Sequence, residues 1–256
     1  MLAQERQLAI RARLTERGKV VAVELANEYG VSEDAIRRDL RELARQGFCQ
    51  RVYGGALLPA PDAGNIGYRE TASPQVKEGL AEVVSRLITD GQTVFIDASS
   101  TNIAIARKIR RDIDLTVFTN SPAIAIALSD HRRCKIILIG GVFNAEKGAC
   151  HGAQTVREAK NIFAGMFILG ACGIDTEVGI TALDHDEVEV KRCFLQQSSR
   201  LVIALTKDKL GTVAPYKIGD VSAIDTLIVE GDVLPDDVAA YQEMGIKIEY
   251  SRIADD

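Results

Sequence analysis

The sequence has no apolar run long enough to cross a membrane. No stretch approaches the ~20 apolar residues that a membrane helix requires, and the opening residues M-L-A-Q-E-R-Q lack the apolar core of a signal peptide. At 256 residues, of which 46% are hydrophobic and 26% charged, the chain can form two domains with real cores. We therefore expect a cytoplasmic protein and exclude a disordered one.

Cysteine is scarce, and its spacing indicates no disulfide framework. The five cysteines are odd in number and form no C-x-x-C motif, so the sequence indicates no zinc site either. Cys150 and Cys172 lie near glycine-rich loops and could line a pocket, although packing is the commoner role of a free cysteine. We expect reduced thiols, no metal and no cofactor.

The chain also lacks net positive charge, but its charge is unevenly distributed. The formal charge is −5; residues 1–57 hold ten Lys/Arg against eight Asp/Glu, leaving +2, and the remainder carries −7. The basic bias is therefore local to the N-terminal segment.

The segment Val31–Leu40, V-S-E-D-A-I-R-R-D-L, combines a helix-start signal with clustered arginines. Ser32 can accept from free backbone amides, and acidic residues follow it where the helix dipole favours negative charge, so we predict a helix from near Glu33. Helical spacing predicts that one face is buried, by Ile36, Leu40 and Leu43. The arginines leave through the exposed side: Arg37, Arg38, Arg41 and Arg45.

The surrounding pattern is typical of a winged helix-turn-helix. Leu8, Ile10 and Leu14 mark a first helix ending at Gly18, and residues 24–30 form a short second helix before the basic one. Residues 48–58 predict two short strands around Gly54-Gly55, a wing that carries Arg51 and Tyr53. Four arginines on one helix are, by themselves, more often a solvated face than a DNA-reading surface.

These motifs resemble the DeoR family of bacterial transcriptional regulators, through V-S-E-D-A-I-R-R-D-L, the following Gly47-Phe48, and R-V-Y-G-G-A from Arg51 to Ala56. Ala35 stands where the family usually has threonine, Tyr53 where it often has histidine, and Val21 where serine commonly caps the second helix. The predicted DNA-binding residues are Ser32, Glu33, Asp34, Ala35, Arg37, Arg38, Arg41, Arg51 and Tyr53.

Three segments follow from composition and periodicity: a DNA-binding domain at 1–58, a linker at 59–74 and a second domain at 75–256. The linker is rich in proline, glycine and small polar residues, and a helix is predicted over 75–87. Beyond it, apolar runs alternate with helical patterns near 102–110, 122–129, 155–162, 186–198 and 235–244, which predicts an α/β domain with a mainly parallel sheet. The predicted strands are Thr93–Ala98, Leu115–Thr119, Lys135–Ile139, Met166–Leu169, Leu201–Leu205 and Thr226–Val229.

Ligands of such sheets bind where strand ends meet helix starts. The run Asp97–Asn102 suits an anion, although simple capping by Ser100 or Thr101 explains it equally well. The next loop places Asn120 or Ser121 as a helix cap before Pro122. The remaining loops are Gly140-Gly141, Gly170–Asp175, Gly179–Thr181 and the acidic run Leu183–Lys191. Because all converge on one sheet edge, we expect a binding pocket there.

These loops also resemble the C-terminal sensor domain of the DeoR family, which is related in fold to ribose-5-phosphate isomerase and the coenzyme A transferases. The resemblance implies a phosphorylated sugar or related metabolite bound at Asp97, Ser99, Ser100, Thr101, Asn120, Gly141, Gly152, Gly173, Glu187, Lys191 and Lys209. The family usually has aspartate where this chain has Gly165 and Thr206, so a less hydroxylated effector becomes plausible.

The resulting hypothesis is a DNA-binding regulator that represses a carbohydrate-metabolism operon and is released by a small effector. Because a charge of +2 cannot hold one copy tightly on DNA, we expect a homo-oligomer on paired half-sites of double-stranded operator DNA. One alternative is a fused sugar-phosphate isomerase using Glu187, with Asp184, His185 and Lys191 nearby. The other is a scaffold that senses nothing, which would need no pocket.

Overall fold

The computed structural model describes residues 2–61 and 64–252. Its helices are α1 Ala3–Arg17, α2 Ala22–Tyr29, α3 Glu33–Arg45, α4 Ile66–Thr71, α5 Pro74–Leu87, α6 Ser100–Lys108, α7 Pro122–Ala127, α8 Ala153–Ala159, α9 His185–Gln196 and α10 Pro235–Glu243. Its strands are β1 Lys19–Val21, β2 Gln50–Val52, β3 Gly55–Pro59, β4 Gln92–Ile96, β5 Leu115–Thr119, β6 Cys134–Leu138, β7 Val142–Asn144, β8 Ala149–His151, β9 Met166–Leu169, β10 Gly173–Asp175, β11 Gly179–Ala182, β12 Leu201–Ala204, β13 Thr212–Val213, β14 Tyr216–Gly219, β15 Thr226–Val229 and β16 Lys247–Tyr250.

The first three helices pack around a small core of their own. Ile10 and Leu14 of α1 are buried there, while Leu8 is 63% exposed and does not join that core. The helix ends at Gly18, whose left-handed conformation closes it as predicted. Strand β1, a pairing partner of β3, was not predicted because three residues carry too little periodicity to recognise.

The wing is a hairpin whose turn lies one residue earlier than predicted. Tyr53 and Gly54 form the turn, and Gly55 already pairs with Val52 in the ladder. Gly54 has φ +82, which suits glycine, whereas a Cβ on Gly55 would lie 2.0 Å from the carbonyl oxygen of Val20. The second glycine therefore permits close approach of β1 rather than the turn itself.

The segment predicted as a structureless linker contains the short helix α4. Asn65 caps it, because its side-chain oxygen accepts from Tyr68 N at 2.9 Å. Buried Lys77 of α5 donates to the carbonyl oxygens of Arg69 and Ala72 at its other end. Two residues of the predicted linker, Asp62 and Ala63, lie outside the described residues. The sequence did not predict this helix because it has no apolar periodicity. It is held instead by the Asn65 cap and by the hydrogen bonds from Lys77 to its last carbonyl groups.

Within the described residues, seven parallel strands form the central sheet, in the order β16-β15-β12-β9-β4-β5-β6. Alternate residues feed two cores: Phe95 and Phe167 lie on one face, Val94 and Ile168 on the other. The predicted α/β class is confirmed. Edge strand β16 was missed because its pattern is polar and half exposed.

Small sheets surround this one. Strands β10, β11 and β14 form one sheet, β7 and β8 a hairpin, and β13 pairs in parallel with β3 of the wing. Most of these strands contain two to four residues, which is too few for sequence patterns to reveal. No helix in the described part of the chain is long and apolar enough to span a membrane.

Candidate functional site

Helix α3 begins as its sequence predicts. The hydroxyl of Ser32 accepts from Ala35 N at 3.3 Å, and Glu33 and Asp34 occupy the first turn. The apolar face is buried by Ile36, Leu40 and Leu43. In contrast, the described structure shows no side-chain cap on α2, whose N-cap is Val21.

A buried charge pair that periodicity did not reveal orients α3. Asp39 lies on the buried face and accepts from the guanidinium of Arg6 and, at 2.9 Å, from the amide of Gln7. Its signal in the sequence is an acid three residues after Ile36 on an apolar stripe. Because both charges are desolvated, the pair constrains how α1 crosses α3.

The predicted DNA-binding residues lie together on α3 and the wing, with different partners. The guanidinium of Arg37 is paired with the carboxylate of Glu33 at 2.7 Å. Arg41 Nε donates to the backbone carbonyl oxygen of Arg37. Arg38 and Arg51 have no side-chain hydrogen bond or ion pair within residues 2–61 and 64–252. Tyr53 is fully exposed at the tip of the wing, while Ala35 is partly buried beside the exposed face. This surface offers unpaired cations to a phosphate backbone.

The second cluster lies where the parallel strands end. Asp97 follows β4, and its carboxylate contacts the ammonium of Lys191, both side chains being 2% exposed. Asp97 Oδ1 also accepts from Asn102 Nδ2 and Gly170 N, each at 2.7 Å. On α9, Glu187 Oε1 lies 3.0 Å from Lys191 Nζ, one turn away. The network ties the ends of β4 and β9 and the start of α6 to α9.

Burial and the neighbouring charges have opposite effects on the pKa of Asp97 and on that of Lys191. Desolvation raises the pKa of Asp97 to about 6, although Lys191 opposes the shift. Desolvation alone would lower the pKa of Lys191, but Asp97 and Glu187 outweigh it and raise that pKa above its ordinary value. At neutral pH the pair is therefore ionised and forms the charged floor of the site.

A cleft that opens to solvent lies above this floor. Its lining includes Arg69, Ser99, Ser100, Cys172, Glu187 and Lys209. The half-buried Lys209 has no side-chain hydrogen bond or ion pair in the described part of the chain. Buried Arg69 Nε likewise has no hydrogen-bond partner there. Two cations with unused donors thus face one cleft, and Arg69 comes from the helix that sequence patterns missed.

The loop after β4 both caps a helix and lines the cleft. Ser99, rather than Ser100 or Thr101, caps α6 by accepting from Asn102 N at 3.0 Å. Ser99 and Ser100 also line the cleft, whereas Thr101 is buried within α6, away from the described lining. The two explanations of this loop, capping and ligand binding, are therefore compatible.

The loop after β5 differs from its predicted role. Ser121 precedes Pro122, but its hydroxyl donates to Gly148 O at 3.2 Å, and Asn120 Nδ2 donates to Cys150 O at 2.9 Å. Neither side chain makes a cap bond to α7 in the described structure. The prediction of a cap was wrong because the β7–β8 hairpin offers nearer acceptors.

Three predicted glycines lie outside the described lining of both the cleft and its inner end. A Cβ on Gly141 would lie 2.1 Å from Thr155 Oγ1, and one on Gly173 would lie 2.6 Å from Thr212 O. Gly152 has φ +93 and starts α8. These glycines permit close packing and turning, so the structure places them around the pocket rather than in it.

The two departures at Gly165 and Thr206 are not equivalent. Gly165 precedes β9, at the edge of the sheet opposite the cleft, so an acid there would not face the ligand. Thr206 follows β12 and lines a cavity that Arg69 and Lys209 share. The expectation that a pocket acid is missing is wrong for Gly165, because strand direction decides which edge a residue occupies.

Two of the four residues named for the isomerase alternative, Asp184 and His185, are not among the described residues that line the cleft or its inner end. Asp184 caps α9, accepting from Asp186 N at 3.0 Å and Glu187 N at 3.1 Å. His185 is exposed, with its ring edge against Tyr216 at a centroid distance of 5.6 Å. Glu187 and Lys191 are left facing the cleft, and Lys191 is held by Asp97.

A winged helix-turn-helix joined to an α/β domain with an open polar cleft defines a ligand-responsive DNA-binding regulator. Residues 6–61 match the DeoR-like helix-turn-helix domain, and residues 73–231 match the DeoR C-terminal sensor domain. The chain belongs to the DeoR family of transcriptional regulators, as its motifs predicted. It binds DNA through the helix-turn-helix and an effector through the sensor domain.

Curated relatives are similar along most of their length. The HTH-type transcriptional regulator GolR of Listeria innocua is 30% identical, over 97% of this chain and 98% of that protein. The glycerol-3-phosphate regulon repressor of Escherichia coli K12 is 31% identical, over 84% and 86%. These relatives are transcriptional regulators, not enzymes. A ribose 5-phosphate isomerase A from Methanocaldococcus jannaschii is similar over about half of each chain, 54% and 55%, with 9% identity and a TM-score of 0.40.

Proposed function

We propose that this protein represses a carbohydrate-metabolism operon and leaves its operator when a phosphorylated sugar or related phosphate ester binds the sensor domain. It acts as a homo-oligomer that places paired winged helices on two half-sites of double-stranded DNA. One relative's name, glycerol-3-phosphate regulon repressor, is consistent with a phosphorylated effector.

The observation that carries the proposal is the pair of unused cationic donors in the cleft. Lys209 has no side-chain partner among the described residues, and Arg69 Nε is buried without one. Burial lowers the pKa of Lys209, because the described structure removes its charge from water without a carboxylate partner such as the one that Asp97 provides for Lys191. A phosphate would supply it, with further donors from Ser99 and Ser100 at the start of α6.

The DNA side rests on α3 and the wing. We assign DNA contacts to Ser32, Glu33, Asp34, Ala35, Arg37, Arg38, Arg41, Arg51 and Tyr53, as their shared surface supports. The small excess of charge over residues 1–57 favours paired half-sites over a single contact. Arg37 must exchange Glu33 for DNA, whereas Arg38 is already free of such a partner in the described structure.

A short backbone path joins the two functions. Lys209 ends a 3₁₀ turn, and three residues later Thr212 pairs with Leu58 of β3, the second strand of the wing. Ala60 N also donates to Val213 O at 2.7 Å. A phosphate that draws Lys209 into the cleft would move β13 and, through β3, the wing. The effector thereby favours an arrangement that no longer matches the operator.

The test is operator release by phosphorylated sugars in full-length protein. Gel-shift titration should show saturable release by at least one compound, and Lys209→Met should weaken its effect about tenfold or more while leaving operator affinity unchanged. Lys247→Met is the matched control, because Lys247 is an exposed lysine paired with Glu249 at 2.6 Å on β16. Release by no phosphate ester, or equal effects of the two substitutions, would contradict the proposal.

A further inference from the structure

The cleft has an inner end that the proposed phosphate site does not use. This inner chamber has a volume of about 10 Å³, room for a single group of about the size of a water molecule. It is lined in part by Asn120 and His151. Lys147 and Glu187 line both the chamber and the outer cleft, so the two spaces adjoin. His151, on β8, is absent from the residues that the motifs predicted.

Two buried polar atoms here lack hydrogen-bond partners. Asn120 Oδ1 and His151 Nε2 are both unpaired within the described part of the chain, on side chains of residues that are 3% and 4% exposed. Asn120 Nδ2 already donates to Cys150 O, so the oxygen is the atom of this amide that has no partner in the described structure. Buried polar groups in native proteins rarely lack partners, because losing hydration without a replacement bond is costly. A small polar group that occupies the chamber would satisfy both.

The chemistry of the chamber selects that group. Asp97 and Glu187 also line it and disfavour an anion, while Lys147 and Lys191 disfavour a cation. Burial lowers the pKa of His151, so its ring is neutral and offers one donor and one acceptor nitrogen. The group must therefore be neutral, small, and able to donate to Asn120 Oδ1 while bonding to His151 Nε2. A hydroxyl meets these conditions.

We propose that the inner chamber is a hydroxyl-binding subsite, in which Asn120 and His151 bind a hydroxyl of an effector whose phosphate occupies the outer cleft. The inference rests on the proposed function and deepens it. Phosphate and hydroxyl are recognised in two adjoining spaces, so the effector is a phosphate ester, such as a polyol phosphate, that carries a hydroxyl away from its phosphate. His151 is then a specificity residue, which distinguishes phosphate esters by the hydroxyl they carry away from the phosphate.

Calorimetric titration of the full-length protein tests the subsite with inorganic phosphate and with three- to six-carbon polyol phosphates, each beside its deoxy analogue. His151→Leu removes the ring nitrogens at similar size. We expect His151→Leu to bind the best polyol phosphate about tenfold more weakly than the wild type does. Its affinities for the deoxy analogue and for inorganic phosphate should equal those of the wild type, so the preference for the hydroxyl disappears. His151→Gln, which restores a polar end, should recover part of it.

His131→Leu is the matched control, because His131 is also a buried histidine whose ring nitrogens lack partners in the described structure. It lies before β6, at the opposite end of the sheet from the chamber. This substitution should leave the hydroxyl preference intact. Equal losses in His131→Leu and His151→Leu would overturn the inference, since they would report destabilisation rather than recognition.

A second measurement uses the wild-type protein and needs no variant to fold. The chain has three histidines, so nitrogen NMR of their rings can resolve His151. Saturation with the best polyol phosphate should shift the His151 ring nitrogens, and its deoxy analogue should not. Binding without that shift overturns the subsite alone and leaves the phosphate site standing. Failure of every phosphate ester to bind the wild type overturns the proposed function together with the subsite.

Discussion

Lys209 is a lysine whose environment lowers its pKa. Burial lowers its pKa, Arg69 and Lys191 add to the shift, and Cys172 and Asp208 oppose it. A bound phosphate would favour the ammonium and raise this pKa again. Binding of a phosphate ester should therefore be linked to proton uptake by Lys209.

This linkage predicts a pH dependence of effector binding. Below the lowered pKa, Lys209 is protonated and affinity is full; as pH rises through that pKa, affinity should fall, because binding must then include protonation. Lys209→Arg should bind the effector with little change over the same pH range, because guanidinium stays charged. Calorimetry in buffers of different ionisation enthalpy measures the uptake. An equal loss of affinity with rising pH in the wild type and Lys209→Arg would assign the titration to another group.

At the scale of single elements, the two glycines of the wing are required for different reasons, one for the turn and the other for the close approach of β1. Gly54 has a positive φ and open space around its Cβ position, while the Cβ position of Gly55 overlaps the backbone of Val20. The hairpin can therefore accommodate a Cβ atom at Gly54 with less rearrangement than at Gly55, where β1 contacts β3.

We predict that Gly55→Ala destabilises the N-terminal domain more than Gly54→Ala does. The turn substitution should cost about 1–2 kcal/mol for a left-handed residue, and the strand substitution about 3 kcal/mol or more, since β1 must move away from β3. Calorimetric melting of the full chain gives the ranking, and operator affinity should follow the same order. A larger effect at Gly54 would mean that the turn, not the strand contact, limits the wing.

At the scale of the whole molecule, the two domains are joined by main-chain hydrogen bonds as well as by a covalent linker. The contact of β13 with β3 extends through Ala60, and α4 carries Arg69 into the cleft. The segment between the domains therefore contributes to the cleft that we propose as the ligand site, and does not act only as a tether.

Ala60→Pro should uncouple the domains without disabling either. Proline removes the N–H that donates to Val213 O, while the extended conformation of Pro59 tolerates a following proline. We expect effector and operator affinities to be nearly retained and the effector-induced loss of operator binding to shrink severalfold. Ala60→Val keeps the N–H and adds similar bulk, so it serves as the control. Unchanged coupling in Ala60→Pro would place the route elsewhere.

Much of the fold could be predicted because its signals are local. Ser32 and its acidic successors start α3, Gly18 ends α1, and β5, β9 and β15 begin and end where their apolar runs do. The convergence of Asp97, Ser99, Ser100, Asn120, Glu187, Lys191 and Lys209 on the cavities followed from one rule, that parallel strands end at the same edge.

By itself, the sequence determined the end of α1, the start of α3, the alternation of strands and helices, and the family, because capping, periodicity and motif spacing act between near neighbours in the chain. Only the tertiary structure decided that Asp39 pairs with Arg6, that Arg69 and His151 line the cavities, and that Gly165 lies at the other edge. These outcomes depend on contacts between residues far apart in sequence, whose partners are chosen by packing and burial. The unmet hydrogen bonds of Asn120 and His151 are likewise visible only after folding has removed both from water.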